Sequence, residues 1–416
     1  MLCLDVVQII CDFCDLKTQM KLIQTCKEYD ENLKIRKLTC TYLSNKTITQ
    51  EILQQKKFNK LQYLCTSYND EITNVNHLKD TLVELYCGES CGITQKGING
   101  LRKLQKLSAC GNNKITDVNH LKDTLMELEC SKDCGITQKG INGLRKLQKL
   151  SAYSYKITNV NHLKDTLVEL DCGDGITQEG INGLRKLQKL DVCNKKITDV
   201  NHLKDTLVEL DCHESCGITQ EGINGLRKLQ KLKTYNTKIT DVNHLKDTLI
   251  ELYCGDGITQ EGINELRKLQ KLIAWSNNKI KDVNHLKDTL VELDCGGGIT
   301  QEGINGLRKL QKLDVYNNKI TDVNHLKDTL VELYCGALCG ITQEGINGLR
   351  KLQILKTYNT KITDVNHLKD TLIELNCSGS CGITQEGING LRKLQKLNAS
   401  SKNNKITDVN RLIDKN

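Results

Sequence analysis

A pattern of about 42 residues recurs along almost the whole chain, and it constrains the fold more than any other feature. The hexamer His-Leu-Lys-Asp-Thr-Leu occurs eight times among the 416 residues, at steps of 43, 42, 40, 42, 41, 40 and 42 residues. Each period holds two segments of the form Leu-x-x-Leu-x-(Val/Cys/Ala), so the sequence predicts about 18 turns of about 21 residues each. Since a turn this short cannot bury its apolar edge alone, neighbouring turns must supply the core.

Residues 307–348 contain one turn of each type. In the first turn, Leu313 and Val315 alternate with polar residues, which predicts a short strand with those two side chains pointing inward. Asn318 follows at a position where its side chain can hydrogen-bond to nearby backbone, as turns require. The second turn repeats the strand around Leu333 and Cys335. Three apolar residues are expected to line the returning side of the first turn: Ile320, Val323 and Leu326.

The two turn types resemble different kinds of leucine-rich repeat. The first, as in the segment from Leu187 to Val200, resembles the short repeats of internalins and of phosphatase-regulatory repeat proteins. The second, as in the segment from Leu82 to Ile98, resembles the cysteine-containing repeats of F-box proteins. Similar arrays occur in protists and their giant DNA viruses. The resemblance implies an α/β fold over residues 35–416, a leucine-rich-repeat solenoid whose parallel β-sheet lines the concave face.

Residues 1–34 do not share the repeat, and their apolar residues recur at helical spacing. The pattern predicts a first helix from Leu4 to Phe13 and a second helix after a turn, capped by Asp15 or Thr18. One apolar face is expected on each helix. The first face comprises Leu4, Val7, Ile10 and Phe13 or Cys14, and the second comprises Met20, Ile23 and Cys26 or Lys27. A module this small cannot hold a core alone and must pack on something.

The order of these elements resembles an F-box. The second helix ends in Gln-Thr-Cys-Lys-x-Tyr at residues 24–29, and F-box motifs close with a similar Val-Cys-Lys followed by an aromatic residue. The chain departs from the family in lacking an opening Leu-Pro, and Tyr29 stands where tryptophan is frequent. The resemblance implies docking on the Skp-type adaptor of a cullin–RING ubiquitin ligase. The residues that would contact this adaptor are Leu4, Val7, Ile10, Leu16, Met20, Ile23, Cys26 and Tyr29.

The outward strand positions differ most between copies of the repeat, and most of the later aromatic residues fall there. Because tyrosine and tryptophan are favoured binding anchors, we expect one exposed aromatic patch on the concave face. The alternative is drift at positions that tolerate any polar side chain. The expected partner-binding residues are Tyr235, Tyr253, Trp275, Asp294, Asp314, Tyr316, Tyr334 and Tyr358.

The recurring Arg-Lys-x-x-Lys motif, as at Arg308, Lys309 and Lys312, raises the possibility of a basic band for nucleic acid. A glutamate such as Glu332 occupies the matching outward position one turn away, so lysine and glutamate columns are expected to pair across strands. The net charge of +8 over this length is a mild excess. Binding of nucleic acid is therefore not the expected function.

The histidines and cysteines do not predict a metal site or any cofactor. Successive histidines of the repeat are two turns apart, roughly 10 Å, whereas zinc ligands lie about 2.0–2.3 Å from one ion. The second cysteine of each Cys-x-x-x-Cys pair is missing from the shorter copies, which favours packing of buried thiols. With 21 cysteines and neither a signal peptide nor a membrane-spanning run in the sequence, we expect reduced thiols in a cytoplasmic or nuclear protein.

Two functions of different class are expected. The first, which the F-box resemblance implies, is a substrate receptor of a cullin–RING ligase, which holds a protein target on the concave face and is not itself an enzyme. The second is a scaffold or phosphatase-regulatory-type binder in which residues 1–34 only cap the solenoid; a binder of acidic ligands or nucleic acid is weaker still. At the other end, residues 409–416 become charged and are expected to form a minimal cap, or else to leave an open sheet edge.

Overall fold

The computed structural model describes residues 3–39, 48–316, 319–379, 381–399 and 405–407. The chain forms two compact units, Met1–Thr198 and Asp199–Asn416, which are described separately below as unit 1 and unit 2. Within each unit, a coil consists of one strand followed by a short helix or turn that leads back to the next strand. The expected boundary between residues 34 and 35 separates two kinds of sequence, and it stays a prediction.

Unit 1 begins with three helices, α1 (Leu4–Phe13), α2 (Leu16–Ile23) and α3 (Lys27–Asn32). The side chain of Asp15 accepts a hydrogen bond from the backbone N–H of Thr18 at 2.7 Å, which confirms the predicted cap of α2. The Gln8 amide donates to the carbonyl of Lys34 at 2.9 Å and accepts from its N–H at 2.8 Å. These bonds fasten α1 to the chain that enters the first strand, so the helices cover the first coil.

Among the described residues of unit 1, eight parallel strands follow, and four short α-helices lie on the returning side. The strands are β1 (Lys37–Leu38), β2 (Tyr63–Cys65), β3 (Glu84–Tyr86), β4 (Lys106–Ser108), β5 (Glu127–Glu129), β6 (Lys149–Ala152), β7 (Glu169–Cys172) and β8 (Lys189–Val192). The helices are α4 (Gln50–Leu53), α5 (Gln95–Ile98), α6 (Gln138–Ile141) and α7 (Gln178–Ile181). Single 3₁₀ turns lie at Lys56–Phe58, Asn76–Leu78, Asn119–Leu121 and Asn161–Leu163.

The described part of unit 2 contains ten further strands of the same kind, each pairing with its neighbours in parallel. They are β9 (Glu209–Cys212), β10 (Lys231–Thr234), β11 (Glu251–Cys254), β12 (Lys271–Ala274), β13 (Glu292–Cys295), β14 (Lys312–Val315), β15 (Glu332–Cys335), β16 (Ile354–Thr357), β17 (Glu374–Asn376) and β18 (Lys396–Asn398). Its 3₁₀ helices are Asn201–Leu203, Asn243–Leu245, Glu261–Ile263, Asn284–Leu286, Asn324–Leu326, Asn366–Leu368 and Glu386–Ile388.

The register of the strands stacks the leucines into one continuous core within each unit. Leu313 on β14 pairs with Leu293 on one side and Leu333 on the other, and all three are fully buried. The residues predicted for the returning side, Ile320, Val323 and Leu326, are also buried. Parallel strands so short are stable only because each buries its inward side chains against both neighbours. The predicted alternation of inward and outward residues is confirmed.

A column of buried asparagines connects consecutive coils. Asn277, fully buried, donates to the carbonyls of Gly255 at 2.7 Å and Ile258 at 2.9 Å in the preceding coil. Its oxygen accepts from the backbone N–H groups of Lys279 and Ile280 at 2.8 and 2.9 Å. The predicted turn role is therefore confirmed at this position, and the side chain also bonds to the neighbouring coil. Asn318, on which the prediction was made, lies outside the described residues.

The repeated histidines bond to the coil that precedes them. The Nε2 of His120 lies 3.0 Å from the carbonyl oxygen of Ile98, and His162 makes the same contact with Ile141. Because a carbonyl can only accept, Nε2 carries the proton. Partial burial lowers the pKa of the His120 imidazole, although the ring keeps contact with solvent. The ring therefore lies at the surface and also joins consecutive coils.

Most described cysteines are buried thiols, as predicted from packing. Both members of the pair Cys335/Cys339 have nearly no solvent exposure, and desolvation raises the pKa of thiols such as Cys254, to about 12. The expectation of reduced thiols throughout is wrong for Cys65, which is disulfide-bonded. Sequence spacing could not show this, because a disulfide depends on which sulfur atoms the fold brings together.

No described helix has the length and hydrophobicity that a crossing of a lipid bilayer requires. The predicted C-terminal cap at residues 409–416 lies outside the described residues.

Candidate functional site

On each sheet, one side packs on the hydrophobic core and the other does not. The side chains that point away from the core form what we term the outer face. On each strand the residue before the central leucine and the residue after it both lie on this face, and successive strands align them in two columns. The first column carries lysine and glutamate, while the second varies between copies. In unit 2 the second column includes Asp294 on β13, Asp314 on β14 and Tyr334 on β15, which are register partners.

Apart from Tyr63 on β2 and Ile354 on β16, lysine and glutamate alternate along the first column, and they pair across strands as predicted. In unit 2, Lys271 Nζ lies 2.9 Å from Glu292 Oε2, and Lys312 Nζ lies 3.1 Å from Glu292 Oε1. Unit 1 has the same pairing, with Lys149 Nζ 3.0 Å from Glu169 Oε1. Each partly exposed pair contributes little stability. Their main effect is that this column offers few unpaired cations to a polyanion.

Two of the predicted aromatic anchors have lysines over their rings. Lys356 Nζ lies 4.7 Å from the ring centroid of Tyr334, and Lys312 Nζ lies 5.6 Å from it. Tyr253 is contacted at 5.5–5.8 Å by three lysines, Lys231, Lys233 and Lys271. These rings are half-buried, so they stabilise the face by cation–π contacts and present little free surface.

Three other predicted anchors are open to solvent. Trp275, Tyr316 and Tyr358 remain 56%, 57% and 44% exposed. They follow β12, β14 and β16, so they lie two strands apart, about 10 Å. Tyr235, the remaining tyrosine of the predicted set, is half-buried. The predicted single aromatic patch is thus a row of three separated exposed rings.

The Tyr316 ring packs against Gly336 of the next coil. A Cβ atom added to Gly336 would lie 2.7 Å from Cδ1 of Tyr316, so only glycine permits this approach. The negative charge of the Asp314 carboxylate raises the pKa of the Tyr316 hydroxyl. The ring therefore lies against Gly336 and near Asp314, while one side stays exposed.

Asp294 and Asp314 form a pair of like charges on adjacent strands. Their Cα atoms are register partners, and the Oδ1 atom of each is buried without a hydrogen-bond partner among the described residues. Burial raises the pKa of Asp314 to about 7, with a further contribution from Asp294, and burial raises the pKa of Asp294 to about 6. Like charges directly opposite each other destabilise a sheet. The other charged groups that act on the pair are Glu292, Lys312 and Lys356.

Asp314→Asn should therefore raise the free energy of unfolding at pH 8, and the gain should shrink toward pH 4. An unfolded aspartate has a pKa of about 3.9. Because the pKa of Asp314 is higher in the folded protein, its effect on stability is most favourable below the unfolded pKa of about 3.9. This stability of the wild-type protein is lost as the pH rises through about 7. Urea unfolding followed by circular dichroism at pH 4, 6 and 8 measures the difference. Asp328→Asn, on an exposed aspartate far along the coil, is the matched control. Equal stability of Asp314→Asn and wild type at pH 8 would contradict the prediction.

The N-terminal residues predicted to contact an adaptor have unequal exposure. Val7 and Ile23 are buried, Leu4, Leu16, Met20 and Tyr29 are half-buried, and Ile10 and Cys26 are exposed. The apolar face predicted for α1 is not a single buried stripe, because Val7 and Cys11 point inward while Ile10 and Phe13 point outward.

The exposed side of α1 is apolar and was not recognised as one surface from the sequence. It consists of Val6, Ile9, Ile10 and Phe13, which are 42%, 57%, 46% and 88% exposed. We term it the α1 apolar face. Helical periodicity could not assign it, because α1 is apolar on most sides and the inward side is decided by packing.

The sequence matches no protein-family model, and no curated protein is similar to it in sequence. Among solved structures, it is similar to an internalin (InlF) of Listeria monocytogenes at 21% identity, covering 82% of this chain and 81% of that one with a TM-score of 0.34. A leucine-rich-repeat protein of Leptospira interrogans has 20% identity, coverage of 93% and 94%, and a TM-score of 0.45.

The structure of TLR13 in complex with single-stranded RNA has 17% identity, covers 94% of this chain and 65% of that one, and has a TM-score of 0.50. Similarity at this level of identity concerns the fold alone. Together with the stacked parallel strands, it confirms the predicted leucine-rich-repeat fold.

Proposed function

We propose that this protein is a non-enzymatic protein-binding module, and specifically a substrate receptor of a cullin–RING ubiquitin ligase. In this proposal the N-terminal helices bind a Skp-type adaptor, and the outer face of the repeat sheet holds a protein target. The two surfaces lie on different parts of one chain, which is what a receptor that connects a ligase to its target needs.

The observation that supports this proposal most is the α1 apolar face. Four large apolar side chains lie exposed on one helix, although the opposite side of the same helix buries Val7 and Cys11. A helix that served only as a cap would need its inward side alone. Clustered exposed apolar residues mark sites of protein interaction. The F-box resemblance of residues 1–34 supplies the chemistry of the partner, an adaptor that receives apolar helix residues.

The outer face of unit 2 supports the second half of the proposal. Trp275 and Tyr316 are exposed aromatic residues of the kind that dominate protein interfaces. The lysines of the same face are largely committed to glutamates and to tyrosine rings. That pairing favours a protein target over nucleic acid, whose affinity depends on unpaired cations.

Ile9→Asp combined with Phe13→Asp should weaken binding of the full chain to a Skp-type adaptor at least about thirtyfold, since buried anchors contribute about 2 kcal/mol or more. Both side chains are exposed in the free protein, so the substitutions should leave the fold intact. Surface plasmon resonance with immobilised adaptor measures the affinity. Substitution of Val7 or Ile23 is less informative, because a buried charge would disrupt the module itself.

Leu338→Asp is the matched control, because Leu338 is an equally large apolar residue that is 81% exposed in unit 2. It should bind the adaptor as wild type does. If the wild-type chain fails to bind any Skp-type adaptor, or if the double variant binds equally well, the helices act as a cap and the receptor proposal is wrong.

A further inference from the structure

The second column of the outer face in unit 2 contains an adjacent pair of like charges. Along the first column lysine and glutamate alternate from Glu209 on β9 to Glu332 on β15, so that each of these charges has an opposite neighbour across the strand. Asp294 and Asp314 instead bring two carboxylates together on β13 and β14. A sheet gains nothing from such a pair by itself, since opposed like charges are unfavourable. A ligand that neutralises both would explain why the two side chains share one site.

The carboxylates also lack donors. Oδ1 of Asp294 and Oδ1 of Asp314 are buried and make no hydrogen bond within the described part of the chain. A buried acceptor without a donor costs about 1–3 kcal/mol. What the site lacks is a group with several N–H donors and a positive charge.

The nearby lysines do not fill this role, because they are held elsewhere. Lys312 Nζ lies 3.1 Å from Glu292 and 3.9 Å from Glu332. Lys356 Nζ lies over the ring of Tyr334, 4.7 Å from its centroid. Their charges act on the carboxylates from a distance without any hydrogen bond to either Oδ1 atom.

An exposed aromatic ring adjoins the acidic pair. Tyr316 follows Asp314 by two residues on the same side of the strand, and its ring lies against Gly336. More than half of the side chain is exposed. A planar cation can therefore lie against this ring and reach the carboxylates at the same time, as guanidinium groups do on aromatic faces.

We infer that Asp294, Asp314 and Tyr316 form a recognition site for an arginine side chain of a protein partner bound to the outer face. Guanidinium presents several donors in a fixed plane, bonds to carboxylates in bidentate fashion and stacks on aromatic rings. The inference rests on the proposed use of the outer face for protein binding, and it specifies the partner as a segment that carries arginine. A calcium ion fits less well, because it takes six to eight oxygen ligands and the described side chains bring together only two carboxylates and a phenol.

The test uses the full chain and a fluorescein-labelled peptide with three arginines separated by Gly-Ser, measured by fluorescence anisotropy. The same peptide with citrulline in place of arginine keeps the shape and loses the charge. The arginine peptide should bind, and the citrulline peptide should bind at least about tenfold more weakly. Asp294→Asn combined with Asp314→Asn should weaken binding of the arginine peptide by at least about tenfold as well.

Two further variants make the test specific. Tyr316→Ala should weaken the arginine peptide about fivefold through loss of the stacking contact, with both carboxylates still present. Asp328→Asn removes the same charge from unit 2 at an exposed position away from the outer face and should leave binding unchanged. Circular dichroism spectra that match wild type establish that the variants are folded.

Three results would overturn the inference: equal binding of the citrulline peptide, equal binding by the double Asp→Asn variant, or an equal loss with Asp328→Asn. The inference would also be overturned if calcium bound at Asp294 and Asp314 and the arginine peptide did not displace it. The pair would then be a cation site instead. The receptor proposal is tested separately by adaptor binding, since that assay depends on the α1 apolar face. Either proposal can therefore fail while the other stands.

Discussion

Replacing Asn277 by leucine is expected to lower the local stability of unit 2 by about 4 kcal/mol. The Asn277 side chain makes four hydrogen bonds with backbone groups, two to carbonyls of the preceding coil and two from N–H groups of its own turn. Leucine has nearly the same volume but can satisfy none of these groups. Each buried group left without a partner costs about 1–3 kcal/mol. The effect is large because one side chain satisfies the backbone of two coils.

Hydrogen exchange of the Lys279 and Ile280 amides measures this effect, because both donate to the asparagine oxygen. A repeat array need not unfold in one step, so a local probe is preferable to a single midpoint. Asn278→Leu is the control, since Asn278 is the exposed neighbour. If both amides are protected from exchange equally well in Asn277→Leu and in wild type, the column of asparagines does not join the coils.

Gly345→Ala is expected to lower the stability of unit 2 by about 3 kcal/mol, because the methyl group has nowhere to go. A Cβ atom at Gly345 would lie 2.1 Å from the carbonyl oxygen of Thr321 and 3.0 Å from the Cα of Asp322. Both atoms belong to the backbone of the preceding coil, so relief of the clash requires separation of two coils. The N–H of Val323 also bonds to the Gly345 carbonyl at 2.9 Å, and that separation would stretch this bond.

Gly336→Ala provides a matched comparison at a second glycine of the same unit. Its added methyl group would meet the Tyr316 ring, which can rotate away, so the expected loss of stability is much smaller. Urea unfolding followed by circular dichroism compares the two variants. Equal midpoints for Gly345→Ala and wild type would mean that the coils can separate at little cost, contrary to the tight stacking that the structure shows. The same ring displacement by Gly336→Ala should reduce binding of the arginine peptide.

The repeat pattern predicted the scaffold correctly because its information is local and redundant. Leu313, Val315 and Cys335 recur at a spacing that only an inward-facing strand position explains, and all three are buried. The pairing of lysine with glutamate was also predictable. Residues one turn apart in sequence become register partners on adjacent strands, as Lys312 and Glu332 do. Function was less predictable, because the second outward column varies between copies of the repeat.

The candidate surfaces illustrate this limit. The sequence placed Tyr334 and Tyr316 in one aromatic patch, and only the structure separates a ring covered by lysines from a ring that is open. The sequence likewise could not assign the exposed side of α1, because the spacing of Ile10 and Phe13 fits a buried helix face as well as an exposed one. In both cases the outcome depends on contacts between elements distant in the chain.

By itself, the sequence determined the number and kind of coils, the inward residues and the pairing of charges, because each follows from a period repeated along one chain. Only the tertiary structure decided which glycines lie in close contact with the backbone of a neighbouring coil, and which face of α1 is exposed to solvent. It also decided that Asp294 and Asp314 share a site with two buried oxygens and no donor. Those properties depend on burial and on distances between coils, which exist only after the coils have stacked.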